Sequence, residues 1–197
     1  VLTNRESIQT IDALTTLDVG PLIKESFPEV EKMSRVVNTR ASVLKQEEGI
    51  TAKAVFVDPG FLEMFTLKSP QNITSGLLSA PNSVIISEKM AQTVFGDEYP
   101  VGKDLQIKFL QGKENFFKIT GVVQNPGKFS SVNGDLFMNF EYYQKNLCDA
   151  FLAAYPFFTT FLMVPPGTGI PFLEEKINRA NRDDWTGITT TKYELQK

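Results

Sequence analysis

Histidine is absent from the 197 residues, and cysteine occurs once, as Cys148. The first absence removes Ser-His-Asp and Cys-His catalysis and every zinc site built on imidazole. The second removes disulfides and cysteine-based metal clusters. A core of this size needs no covalent staple, so the lack of disulfides assigns no compartment. Basic excess is missing too: 20 Lys and Arg against 23 Asp and Glu leave a formal charge of −3. Such a chain has no means of neutralising a phosphate backbone, which argues against nucleic-acid binding, and no polybasic run marks a lipid-headgroup site. Long apolar runs are lacking as well. The most apolar stretch, Ala150 to Val164, is broken by Pro156, Thr159 and Thr160 and falls short of the ~20 residues a bilayer requires. No signal peptide is visible. The chain starts with Val1 rather than Met and reads as a piece excised from a longer protein, so missing targeting signals say nothing of the parent.

What is present is an ordinary globular load, 42% hydrophobic and 22% charged. The length suggests one domain or two small ones, long enough to bury about 70% of the surface of the unfolded chain. The apolar load leans on 16 Phe, against one Trp and five Tyr. Phe has no polar handle, so most of these rings belong in a core rather than on a stacking platform.

Along the chain, Val1 to Thr16 suggests a strand and a turn. Gly20-Pro21 opens a helix whose face carries Leu22, Ile23 and Phe27, and Pro28 starts a second helical turn continued by Val30 and Met33. Ser34 to Lys45 and Ile50 to Val57 read as a hairpin across a turn at Glu47, Glu48 and Gly49. Asp58-Pro59-Gly60 is turn punctuation, and Phe61, Leu62, Met64 and Phe65 form a short helical plug. Ser69 to Asn82, rich in Ser, Pro, Asn and Gly, is a loop and a candidate hinge. Val84-Ile85-Ile86 is a strand. Ser87 then caps a helix with Met90, Val94 and Phe95 on one face, and Gly96 stops it. Leu105, Ile107 and Phe109 alternate, as do Phe117, Ile119 and Val123, across a turn at Gln111 to Asn115. Leu136 to Phe140 is a strand, Glu141 to Tyr155 a helix, and Phe157 to Val164 a strand ended by Pro165-Pro166-Gly167. Phe172 to Ala180 is an amphipathic helix with Leu173 and Ile177 inside, and Ile188 to Leu195 a last strand. Strands and helices are interspersed, with hairpins as well as crossovers, which points to an α+β fold.

No constellation offers chemistry. Gly102-Lys103 lacks the glycine spacing of a phosphate loop, and Asp104 follows where Ser or Thr is needed. The acidic pairs Glu47-Glu48 and Asp183-Asp184 are sequence neighbours, which on a strand face opposite ways and cannot flank a glycosidic bond; no alternating calcium loop contains them. Ser87 with Lys89, and Ser130 with Lys128, are the nearest candidates for a Ser–Lys dyad, but Ser87 is already explained as a cap and nothing around Lys128 suggests a lowered pKa. Cys148 behaves as a small hydrophobe on the helix near Leu147 and Phe151. Trp185 reads as edge packing, since a lone Trp makes no sugar platform. Catalytic, cofactor and metal residues are accordingly expected to be none.

The order of segments carries more. Val57-Asp58-Pro59-Gly60-Phe61 precedes Met64-Phe65-Thr66-Leu67. Then come Ser83-Val84-Ile85-Ile86-Ser87-Glu88, Ala91, Val94-Phe95-Gly96, Pro100-Val101-Gly102-Lys103 and Phe117-Lys118-Ile119-Thr120-Gly121-Val122-Val123. With Phe27-Pro28-Glu29-Val30-Glu31 upstream, this series resembles the periplasmic core domain of MacB-like ABC-transporter permeases, in the wider FtsX and LolE group. It covers about Gly20 to Val123; after Leu136 only the order strand, helix, strand fits.

The resemblance implies a two-lobed α+β fold. A mixed α/β, porter-like lobe would come from residues 1–67 and 138–197, and an inserted, smaller β-rich, sabre-like lobe from 68–137. It implies a non-catalytic domain outside the bacterial inner membrane, between the first and second transmembrane helices. The partners implied are a cytoplasmic ATPase, a periplasmic adaptor or substrate protein, and a second permease subunit in a homodimer or heterodimer. Motion driven by ATP would pass through the domain, in export or lipoprotein release. That reading predicts that Val1 and Lys197 lie near each other. Two others stay open: a free periplasmic sugar- or peptide-binding module, which needs a deep pocket with Trp185 or several Tyr in it, and a serine hydrolase using a Ser–Lys pair.

Overall fold

The computed structural model describes residues 2–5, 11–12, 15–45, 48–65, 76–109, 114–124, 133–149, 158–182 and 192–195. Contacts divide the chain into two units. One holds both chain ends, Val1–Val36 with Asp149–Lys197; the other is the intervening Val37–Cys148. The architecture mixes strands and helices, as the sequence leads one to expect.

In the chain-end unit, strand β1 (Leu2–Arg5) pairs antiparallel with β2 (Ile11–Asp12), and on its other side with the last strand of the chain, Lys192–Leu195. Helix α1 (Val19–Ser26) leads into β3 (Lys32–Lys45). Val19 and Ile23 from α1, with Phe27 and Val30, form one apolar cluster with Leu173 and Ile177. The last two sit on a helix over Ile170–Arg182, four residues apart and so on one face.

The inserted unit is built on six strands. After β3 come β4 (Glu48–Val57), the short helix α2 (Phe61–Met64), β5 (Ser83–Ser87), helix α3 (Glu88–Phe95), β6 (Asp104–Phe109), β7 (Glu114–Val123), β8 (Leu136–Asn139) and helix α4 (Phe140–Asn146). Their order is β4-β8-β5-β7-β6-β3, and β3 also pairs with β4, so the six form a ring with no free edge. Closure removes the unpaired edge that invites aggregation. All five residues of β5 and all four of β8 are buried, as expected of strands covered on both faces. In β6 and β7 burial alternates, with Leu105, Ile107, Phe109, Phe117, Ile119 and Val123 inside. Tyr142 of α4 reaches Phe117 at 4.8 Å, Phe109 at 6.1 Å and Phe56 at 6.3 Å between ring centroids. These rings come from β7, β6 and β4, so α4 covers the apolar interior of the ring. That burial pushes the Tyr142 hydroxyl above its ordinary pKa of 10.0.

Three elements after the inserted unit complete the chain-end unit. Strand β9 (Thr159–Met163) pairs antiparallel with residues 32–36 of β3. The helix Ile170–Arg182 is α5, and the strand Lys192–Leu195 is β10.

Four local expectations are corrected. Pro28 starts no helical turn: Phe27 is extended at φ −121 and ψ 104, because a proline drives the preceding residue out of the helical region, and Met33 already pairs with Leu162 inside β3. Glu48 and Gly49 belong to β4 rather than to the hairpin turn; residue 47 lies outside the described residues. Phe140 opens α4 rather than closing β8, because the Asn139 side chain caps the helix by accepting from the Glu141 N–H at 2.7 Å. And α4 stops at Asn146, not Tyr155. The Asn146 side-chain amide donates to the Tyr142 carbonyl at 2.9 Å, a local bond that competes with helix. The N–H groups of Leu147 and Cys148 both converge on the Tyr143 carbonyl. Residues 150–157, with Phe151 and Ala154, and the tail 188–191 lie outside the described residues.

Candidate functional site

Ser87 ends β5 and caps α3. The Met90 N–H donates to its Oγ at 3.1 Å, and Gly96 closes the helix at φ +61, a conformation glycine adopts without penalty. Ser87 is fully buried whereas Lys89 is exposed. This hydroxyl is committed to the helix and forms no dyad with Lys89. Ser130 and Lys128 lie outside the described residues, as do Asp183, Asp184 and Trp185.

Gly102 and Lys103 form a turn. The Gly102 N–H donates to the Ile119 carbonyl at 2.8 Å, so it is not presented to an anion. Lys103 pairs with Glu98 and lies 5.3 Å from the centroid of the Phe95 ring. Its hydrogen bond holds the Glu98 carboxyl below the ordinary 4.5. Glu48 is exposed at the start of β4, and Cys148 sits half-buried beyond the end of α4 rather than on it. Among the described residues no group of three His, Cys, Asp or Glu side chains could hold a metal ion.

Among the described residues, two adjoining grooves lie elsewhere, on the outer wall of the ring. Strand alternation turns Ala41, Val43, Ala52 and Ala54 inward and leaves Asn38, Arg40, Thr51 and Lys53 exposed. One groove of about 530 Å³ is lined by Asn38, Thr39, Arg40, Thr51, Ala52, Lys53 and Asp135. A second of about 350 Å³ adjoins it, sharing Arg40 and Thr51 and adding Ala41, Ser42, Lys108 and Phe109. Lys108 stands opposite Ser42 in the β3–β6 register. The Lys53 N–H donates to Asp135 Oδ2 at 2.9 Å and the Asp135 N–H to the Lys53 carbonyl at 2.9 Å, which pins the groove floor. No tyrosine or tryptophan lines either groove. Sequence reading missed these residues. Period-two exposure marks 38 and 40, and 51 and 53, but their convergence needs the β3–β4 pairing.

The family described as MacB-like periplasmic core domain matches residues 3–180. No curated protein matches the sequence. Among solved structures, a domain of a protein assigned as a permease, from Porphyromonas gingivalis, shares 18% identity at a TM-score of 0.76, over 99% of this chain and 88% of that one. The periplasmic region of MacB from Actinobacillus actinomycetemcomitans shares 12% at 0.68, over 98% and 87%. The extracellular domain of the noncanonic ABC-type transporter YknZ from Gram-positive bacteria shares 16% at 0.68, over 100% and 98%. These three likenesses establish a common fold, and the family match extends over nearly the whole sequence. The chain belongs to the MacB-like periplasmic core domain family.

Proposed function

We propose that this domain is the extracytoplasmic part of an ABC-transporter permease. It is non-catalytic and passes ATP-driven movement from a cytoplasmic ATPase to substrates or partner proteins in the periplasm, in export or lipoprotein release. The observation that carries the reading is the pairing of the first strand with the last: Leu2 stands opposite Leu195. A domain carried between two membrane helices needs both connections to leave from one place. The family match over residues 3–180 supports the same reading. Among the described residues no helix is long and apolar enough to cross a membrane, so membrane helices would be supplied by flanking sequence of ~20 apolar residues each. The full permease would work as a homodimer or heterodimer, with a periplasmic adaptor in some assemblies.

The test uses the full-length permease with its ATPase in proteoliposomes. Cysteines replace the exposed Gln92 and Glu175 in a Cys148→Ser background and carry spin labels. The distance distribution should differ between the nucleotide-free and vanadate-trapped states. An unchanged distribution, with ATPase activity intact, would overturn the transmission of movement.

A further inference from the structure

We propose that the double groove on the outer wall of the inserted unit binds an extended acidic segment of a partner protein, with Arg40 as its central contact. Arg40 and Thr51 line both grooves, so any ligand that spans them passes over Arg40. Arg40 and Lys53 are exposed residues, and neither makes an ion pair among the described residues. In a chain of net charge −3, these are cations without local use. A guanidinium offers a planar fork matched to a carboxylate.

The spacing of charge selects the class of ligand. Lys53, Arg40 and Lys108 stand on β4, β3 and β6, three neighbouring strands of the ring. Neighbouring strands lie ~4.8 Å apart, so the cations are distributed across roughly 10 Å rather than converging on one point. Separate carboxylates suit that distribution, and a single phosphate does not. Acidic groups intervene as well: Asp135 lines the first groove, and Glu114 forms an exposed ion pair with Lys108 at 3.6 Å, which leaves Arg40 and Lys53 as the unpaired cations of the grooves among the described residues. Both repel a dense polyanion. Between the cations, Asn38, Thr39, Ser42 and Thr51 line the grooves, a donor and acceptor set suited to a peptide backbone. The volumes, about 530 and 350 Å³, match sites that take several ligand groups rather than one small ion.

This inference borrows from the permease reading only the place where the partner is met. Binding is measured on the 197-residue chain, so it stands or falls independently of any ATP-driven movement. The ligand used is an acetylated, amidated hexapeptide of alternating glutamate and threonine, titrated into isotopically labelled protein at low salt. Amide shifts should concentrate at residues 38–42, 51–53 and 108. The glutamine-for-glutamate peptide should bind at least about fivefold more weakly, the scale of an exposed charge pair. Arg40→Glu should weaken the acidic peptide by a similar factor or more, and Arg40→Lys by less. Arg40 is exposed, so these variants should keep the wild-type amide spectrum away from the groove.

No binding at millimolar peptide, shifts mapping elsewhere, or equal affinity for Arg40→Glu would overturn the proposal. So would inorganic phosphate competing at lower concentration than the peptide, which would make this a phosphate site. Concentration-dependent self-association that Arg40→Glu abolishes would assign the groove to a second copy of the chain instead.

Discussion

Ser87 is buried at the corner between β5 and α3 and has one helix N–H to satisfy. Ser87→Ala should cost about 1–2 kcal/mol, the scale of a lost cap with a donor left stranded, read as a lower urea midpoint at unchanged slope. Gly134 is constrained by space: a Cβ there would stand 2.3 Å from Val55 Cγ2, a side chain that is itself fully buried. Gly134→Ala should destabilise by about 1–3 kcal/mol. Combined with Val55→Ala the two losses should sum to less than their separate values, because the second change removes the clash. Glu29 gives a pH signature. Its carboxyl lies below the ordinary 4.5, first because the Lys176 ammonium hydrogen-bonds it, while its other oxygen is buried without a hydrogen-bond partner among the described residues. A lowered folded pKa means that the stability from this pair is present above the unfolded value and fades as pH falls through the folded one. Urea midpoints taken downward from about pH 5 should therefore fall less steeply in Lys176→Met than in wild type. Equal slopes would show that the pair contributes nothing.

Two junctions in the inserted unit share one design: the last residue of a strand is the cap of the next helix, with no linker between. At β5–α3 this was legible, because Ser87 breaks an apolar run and Gly96 ends the helix nine residues on. At β8–α4 it was not. Asn139 sits inside the run Leu136 to Phe140, and nothing local separates strand from helix there. A local cap and a tertiary tie together decide it: Asn139 accepts from the Glu141 N–H and donates through Nδ2 to the distant Leu78 carbonyl at 2.6 Å. Asn139→Asp keeps the first bond and sets a carboxylate against that carbonyl. It should cost about 1–3 kcal/mol at neutral pH, and the loss should shrink when the carboxyl is protonated. Asn139→Ala should destabilise without that pH dependence. Thermal melts of both variants across pH separate the cap from the tie to Leu78. The Pro28 error has the opposite lesson. The apolar spacing of Phe27, Val30 and Met33 fits a helix, yet one proline fixes the preceding residue as extended, and the segment becomes the approach to β3.

At the scale of the molecule, the ring of six strands depends on partners far apart in sequence, such as Ala54 with Leu136 and Val84 with Ile119. Local periodicity marks each strand and is silent on which strands meet, so the α+β class was legible and the closure was not. The groove was illegible for the same reason, since its cations come from three strands. Closure has a measurable result. Amides of β5, β7 and β8, paired on both sides, should exchange with solvent more slowly than those of β9, for which β3 is the only strand partner in the described sheet order. Faster exchange in β5 than in β9 would show that the ring opens before its flank.

The β1–β10 ladder also has a direction of weakness. Its register runs from Leu2 opposite Leu195 to Arg5 opposite Lys192, so the two strand ends nearest the termini share the same end rung. Tension that draws those points apart breaks rungs in succession, as tape peels. Tension along the strands must shear all of them together. Under the proposed permease reading, the ladder would therefore yield at low force when its two ends are drawn apart and hold when they travel together.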